Sequence, residues 1–335
     1  MKIPNLSRYA FSMYAASALL AGCGSSQPPV GAANAIPRNA EIKTHAVHYS
    51  SWMRPEAKSG DLLYVSSQNG GVFVLSYPKG AFVGELSGFD YPHAPAGLCS
   101  DKLGNVFIVD SHAQNIIEYA HGGTNPIATL SDSGNSPNGC ALDPKSGDLA
   151  VAGGSCPGQC EANIAVYTKA IGSPTVYPDP SDARFTWCTY DAQGNLFTNG
   201  APLTELPKGS GTFTNIYASN ILGNGPIQWD GKYLAVGQPH QDTHGPTTIY
   251  QVQVSGTTAT VVNTIELSSG KTDRNPGSGF VQFWIQGSSV VSPKLPWGHE
   301  SVGLWRYPVG GNPIGAIASH ALEPLGITVS KAPRL

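Results

Sequence analysis

Apolar residues in this chain fall into runs too short to make helices, and turn residues separate the runs. The stretch 95–119 shows the pattern best. A short apolar run closes at Asp101, and Leu103-Gly104-Asn105 follows as a turn. Then come Val106-Phe107-Ile108-Val109, a polar corner at 110–115 and a last run that ends in Tyr119. Brief β-branched and aromatic runs between Gly, Asn and Asp predict strands, and Gly104-Asn105 supplies the positive φ of a tight hairpin. The stretch is predicted to be an antiparallel β-meander.

Two independent rulers show the meander repeating. The Tyr that closes its third strand recurs as Tyr77-Pro78-Lys79-Gly80, Tyr119-Ala120-His121-Gly122, Tyr167-Thr168-Lys169-Ala170 and Tyr307-Pro308-Val309-Gly310, with Leu206-Pro207-Lys208-Gly209 as a degenerate copy. The hairpin turn recurs at Gly104, Gly147, Gly194, Gly231 and Gly287, at gaps of 43, 47, 37 and 56 residues, the length of propeller blades. The first unit shows only its later strands, from residue 62. Its missing inner strand is supplied at the far end, where Pro324-Leu325-Gly326-Ile327-Thr328-Val329-Ser330 matches Pro95-Ala96-Gly97-Leu98-Cys99-Ser100-Asp101. The expected fold is therefore all-β, a six-bladed β-propeller over 62–335, closed by a C-terminal strand that completes the first blade and removes the open seam. It should fold as one domain, because a single blade leaves an apolar face wet.

Composition agrees. With 40 Gly, 27 Pro and only 12% charged residues, the chain is rich in turns and poor in helix formers. A formal charge of −3 and the absence of a Lys/Arg cluster exclude electrostatic capture of nucleic acid.

Ahead of the repeats lies an address. Lys2 and Arg8 precede an apolar stretch, 9–20, too short to span a bilayer comfortably, and it runs into Leu19-Leu20-Ala21-Gly22-Cys23. This closely resembles the lipobox of bacterial lipoproteins. The resemblance implies cleavage of the signal peptide 1–22, lipidation of Cys23 and stable anchoring by several acyl chains. The expected location is the bacterial cell envelope, with the outer membrane favoured because Gly24, not Asp, follows the Cys. Residues 23–40 then read as a flexible tether and 41–61 as an ordered lead-in carrying Tyr49, Trp52 and Met53.

Within the repeats, 95–119 resembles the NHL repeat, matched at Pro95, Gly97, Asp101, Gly104, Asn105, Asp110, Ile116 and Tyr119. The next unit matches at Pro137, Gly139, Asp143 and Gly147. The later units drift from the pattern. The resemblance implies a propeller whose inner strands line a central channel, and it implies no single function, since such folds bind, signal and hydrolyse. Candidate channel residues are His93, Asn138, Thr186, Gln228, Gln282 and Glu323. The related gluconolactonase-type propellers hold a divalent cation at this place through carboxylate and amide oxygens. Here the set is mostly neutral, whereas hard cations want several oxygen ligands. The leading expectation is a monomeric binding or scaffold module without a cofactor, which takes a protein or small-molecule ligand at the propeller face. The alternative is a metal-dependent hydrolase of the gluconolactonase type, with a divalent cation in the channel.

Other candidates are local. Asp101, Asp143, Asp191 and Asp230 recur beside the tight turns, and structural turn-capping explains such recurrence better than catalysis. His240, Asp242 and His244 form a His-x-x-x-His segment, read either as a solvated loop or as a metal site. No Gly-x-Ser-x-Gly elbow is present, and no catalytic residue is assigned. Of the cysteines, Cys156 and Cys160 are expected to bridge across a short loop. Cys140 and Cys188 occupy equivalent positions, three residues before their turn Asp, and are candidates for a second bridge. Cys99 is one residue out of that register and is expected to be a free buried thiol.

Overall fold

The computed structural model describes residues 50–67, 70–89, 95–132, 136–154, 162–178, 185–200, 202–219, 221, 223, 225–238, 247–268, 281–293, 301–321 and 324–333. Cys23, His93, Cys156, Cys160, His240, Asp242, His244 and Glu323 lie outside these residues, as do the whole signal segment 1–22 and tether 23–40. Among the described residues there is no helix longer than a single 3-10 turn, and none long and apolar enough to cross a membrane.

The strands follow the meander. The first sheet holds β1 (Trp52–Met53), β2 (Leu62–Ser67), β3 (Gly71–Ser76) and β4 (Phe82–Leu86); the second holds β5 (Leu98–Ser100), β6 (Val106–Asp110), β7 (Asn115–Tyr119) and β8 (Pro126–Ser131). The third is made of β9 (Ser136–Leu142), β10 (Leu149–Gly154), β11 (Asn163–Tyr167) and β12 (Thr175–Pro178). Next come β13 (Cys188–Tyr190), β14 (Leu196–Asn199), β15 (Leu203–Leu206) and β16 (Thr214–Ala218), then β17 (Ile227–Trp229), β18 (Leu234–Gly237), β19 (Thr247–Ser255) and β20 (Thr258–Leu267). A last meander contains β21 (Trp284–Gln286), β22 (Ser289–Pro293), β23 (Ser301–Arg306) and β24 (Gly315–Ala318). Finally β25 (Pro324–Ser330) returns to pair antiparallel with β2, from Leu62↔Ser330 to Ser67↔Pro324. The order of the first sheet is thus β1-β4-β3-β2-β25: the lead-in strand covers its outer edge and the C-terminal strand its inner one.

The fold is all-β and propeller-like, with one departure from six separate sheets. The meanders β13–β16 and β17–β20 form a single eight-stranded sheet, because outer strands β16 and β20 pair in parallel at Tyr217↔Thr258 and Ala218↔Ala259. The cause is length. The β19–β20 hairpin runs from Thr247 to Leu267, far enough to reach its neighbour's edge.

Among the described residues the buried apolar side chains form six clusters, which lie between successive meanders. Tyr64 and Val74 of the first sheet pack with Leu98 and Ile108 of the second, and Phe107 and Val109 pack with Leu149 and Val151. The series ends where Val291 and Val302 meet Leu63, Ile327 and Val329. Each meander therefore buries both faces, one against each neighbour, which explains strands such as β6 whose five residues are all buried.

This stacking corrects the reading of the cysteines. Cys99 bonds to Cys140, with Cα atoms 5.7 Å apart, while Cys188 is free and buried. Equivalent positions on successive sheets point the same way around the array. Cys140 Sγ lies against Phe107 O and Cys188 Sγ against Ala150 O, each facing back to the preceding sheet. Two such residues cannot meet. A residue one position out of register faces forward, and Cys99 is that residue. The bridge closes a separation of 41 residues, worth about 4 kcal/mol by loop entropy. Cys99→Ala with Cys140→Ala is expected to lower the thermal midpoint by several degrees, and an unchanged midpoint would count against the bridge. Burial pushes the Cys188 thiol up to about 12, so it should stay unlabelled by alkylating reagents in the folded protein.

Candidate functional site

The inner strands β5, β9, β13, β17, β21 and β25 follow one another around the array, and the glycines of the Pro-x-Gly segments show how closely. A Cβ added at Gly97 would fall 2.5 Å from Asn138 O, and one at Gly139 would fall 2.7 Å from Thr186 O. At Gly326 it would collide with Ala96 O. Each glycine thus lets one inner strand press its backbone onto the carbonyl of the next. Four residues before the turn Asp, where two of these glycines stand, the fourth meander carries Trp187. Its indole lies against the Cα side of both Gly97 and Gly139, and it is only 4% exposed. Two glycines leave the space, and one large residue occupies it.

Polar side chains stitch the same strands together. Ser66 Oγ donates to Ala96 O (2.6 Å) and accepts from the Gly326 amide (2.7 Å). The Gly97 amide donates to Asn138 O (2.8 Å), and Asn138 Nδ2 donates to Thr186 O (3.0 Å). The Trp229 amide donates to Thr189 Oγ1 (3.0 Å). Gln228 Oε1 accepts from the Ile285 amide (2.6 Å) while its Nε2 donates to Ile285 O (3.2 Å). Gln282 does most: Oε1 accepts from the Leu98 and Ile327 amides (3.0 Å each), and Nε2 donates to Leu98 O (2.7 Å). These bonds link every neighbouring pair of inner strands, from β25 through β5, β9, β13, β17 and β21 back to β25.

Of the described channel candidates, Asn138, Gln228 and Gln282 have their side-chain amides engaged with backbone of adjacent strands. Thr186 contributes its carbonyl. Trp187, Ser66 and Thr189 were missed by the sequence reading. A signal for Trp187 existed, since aligning the meanders by their turn Asp puts it in a column with Gly97 and Gly139.

The turn carboxylates are used in the same way. Asp101 Oδ1 accepts from the Leu103 and Asn105 amides, Asp191 Oδ1 from Gln193 and Asn195, and Asp230 Oδ1 from Lys232 and Tyr233, all at 2.7–2.8 Å. The turns need this help because their glycines, such as Gly104 (φ 91°), sit in left-handed conformations. Asp230 does more than cap. Its Oδ2 accepts from Tyr307 Oη (2.7 Å) and Gln251 Nε2 (2.6 Å), and Asn263 Nδ2 donates on to Gln251 Oε1 (3.0 Å). Burial pushes the Asp230 carboxyl up, but the bonds from Tyr307, Tyr233, Gln251 and Lys232 together outweigh it and hold the group below its ordinary value. Burial and the adjacent carboxylate push Tyr307 up, so its phenol stays protonated.

A depressed carboxyl contributes stability that is present above the unfolded-state value, near 4, and is lost as pH falls through the folded one. Asp230→Ala is expected to cost about 2–4 kcal/mol at pH 7 by stranding Tyr307 and Gln251. It should also flatten the acid limb of the stability–pH curve. An acid limb identical to that of the parent protein would contradict this.

Among the described residues no group of three or more His, Cys, Asp or Glu is placed to hold a metal ion. No family model matches the chain, and no curated protein matches it. Solved structures do. A chain of the nidogen/laminin complex aligns over 82% of this protein and 100% of its own length, at 15% identity and a TM-score of 0.59. A functionally unknown protein from Desulfotomaculum acetoxidans DSM 771 aligns over 81% and 99%, at 14% identity and a TM-score of 0.53. With 976 matching chains, the likeness establishes a widely used fold and carries no activity with it.

Proposed function

We propose that this protein is an exported lipoprotein whose six-bladed, NHL-like propeller acts as a monomeric binding or scaffold module at the cell envelope. The observation that carries the scaffold reading is the fate of its polar inner-strand side chains. Asn138, Gln228, Gln282 and the turn carboxylates are spent on holding blade to blade and turn to strand. A rigid, closed body is what such an investment produces. Six apolar clusters between successive meanders support the count of six, with the eight-stranded sheet read as two blades fused at β16 and β20. The lipobox at residues 19–23 supports anchoring, and Gly24 favours the outer membrane.

Anchoring is tested by Cys23→Ser. The variant is expected to leave the detergent phase on phase separation and to escape lipoprotein processing, whereas unchanged partitioning and processing would sink the lipoprotein reading. The binding role is tested by co-purification from detergent-solubilised native membranes, with divalent-ion content measured on the same sample. A stoichiometric bound cation would favour a gluconolactonase-type hydrolase over a binding module.

A further inference from the structure

The antiparallel register brings two turns of each meander to the same side. In the second meander, Ser100↔Val106 and Val106↔Tyr119 put the turn 101–105 beside the segment 120–125. In the third, Leu142↔Leu149 and Leu149↔Tyr167 put 143–148 beside 168–172. Bonds between sheets carry that side around the array: Lys208 Nζ reaches Asp143 Oδ2 (3.7 Å), Tyr307 Oη donates to Asp230 Oδ2, and Ser330 Oγ donates to Gly104 O. Lys79, Lys102, Lys145, Lys169, Lys208 and Lys232 all lie in these turns, and all are exposed. The carboxylates of the same turns sit one layer down. Asp101, Asp143, Asp148, Asp191 and Asp230 are buried or half-buried, and each accepts backbone amides. A partner approaching this side therefore meets ammonium groups first.

The same turns expose large aliphatic side chains. Leu103 follows Lys102 and is 64% exposed, and Ile171 lies two residues after Lys169 and is 65% exposed. Val309 lies three residues after the exposed Arg306 and is 76% exposed. One exposed aliphatic side chain needs no explanation. Three at turn tips, on three different sheets and each near a cation, make a pattern. The cations are spread around the array rather than gathered in one stripe, which suits a flat partner.

We infer that this side docks on a membrane surface carrying anionic lipid, with Leu103, Ile171 and Val309 entering the headgroup layer and the lysines meeting lipid phosphates. Because the turn carboxylates lie beneath the lysines, the attraction acts at contact and not at a distance. Weak docking of this kind suffices for a tethered body, whose effective concentration at the bilayer is high. The inference goes beyond the binding-module reading by naming a surface and its partner, and only the persistence of docking rests on the anchor.

Insertion is read at a turn tip itself. Full-length protein carrying the reporter Val309→Trp is mixed with vesicles of phosphatidylcholine, with or without phosphatidylglycerol, whose acyl chains are brominated near the headgroup. Its fluorescence is compared with that of the parent protein. Ile127→Trp, at an exposed position of the outer strand β8, is the control. Quenching of the Val309→Trp reporter is expected to exceed that of the control by about threefold or more, and only with phosphatidylglycerol present. Leu103→Ser with Ile171→Ser should remove that quenching and, since both positions are exposed, leave the thermal midpoint unchanged. Lys102→Gln with Lys169→Gln should lower the ratio of docked to undocked protein by about fivefold for each lysine. Equal quenching of the two reporters would overturn the choice of side. Equal quenching without phosphatidylglycerol would overturn the anionic class. An unquenched Val309→Trp reporter would overturn the membrane as partner, and an acidic protein that co-purifies with the parent but not with the serine variant would then take its place. A lipid anchor holds both reporters on either vesicle alike, so its failure, read by Cys23→Ser partitioning, is told apart from failure of docking.

Discussion

Deleting residues 322–335 should abolish the cooperative unfolding transition and drive the protein into aggregates. The deletion removes β25, whose Ile327, Thr328, Val329 and Ser330 are all buried. Burial of the two aliphatic side chains alone contributes about 1.5–3 kcal/mol each. The strand also carries the ladder to β2 and bonds to Ser66, Ser100 and Gln282. It further carries the Ser330 contact to His121 (2.6 Å) and the Ala332 amide bond to Asp61 (2.9 Å). Together these are comparable with the whole stability of a typical domain. The truncated chain would expose the β2 edge and one face of β5, a template for pairing with other chains. Thermal melts with size-exclusion chromatography check this, and a monomeric truncation with the parent midpoint would contradict closure by β25. Ile327→Ala offers a milder version, expected to cost about 2–4 kcal/mol without aggregation.

The second large effect lies where the inner strands touch. Gly97→Ala places a methyl group against Asn138 O and the Trp187 ring, and a backbone carbonyl within a stitched strand cannot swing aside. A loss of about 3 kcal/mol is expected, at the upper end for one added carbon. Trp187→Ala should cost about 3–5 kcal/mol for the opposite reason, by emptying the space the glycines leave. The two are coupled. In Gly97→Ala with Trp187→Ala, the ring clash disappears but the carbonyl clash remains, so the double variant should lose less than the sum of the singles by roughly 1 kcal/mol. Strict additivity in denaturant titrations would mean that the indole does not press on Gly97.

Much of this architecture was legible because it depends on residue type at fixed spacing. Gly104 and Asp101 announce a turn whichever way the sheet faces, and the Pro-x-Gly copy at 324–326 announces an inner strand wherever it docks. Direction around the array is a different kind of information. Cys99 was misread because alternation along a strand says which residues share a face, but not that stacked sheets meet through opposite faces. Gln228 and Gln282 looked like channel groups for a related reason. Their spacing put them at the inner strands, yet whether an amide turns to open space or to a neighbouring backbone depends on how near that backbone lies. The fusion of β16 with β20 was hidden too, since hairpin length shows in the sequence and the neighbour it reaches does not.

The return of β25 to β2 also sets a clock. Ser66 meets its partner Gly326 across 260 residues, and contacts so distant in sequence are slow to form. A chain made from its N-terminus presents β2 long before the strand that completes it. Until then the first sheet has no inner strand, and Gln282 lacks one of the two amides it accepts from. Commitment to the closed state is thereby postponed until β25 is free to dock on β2.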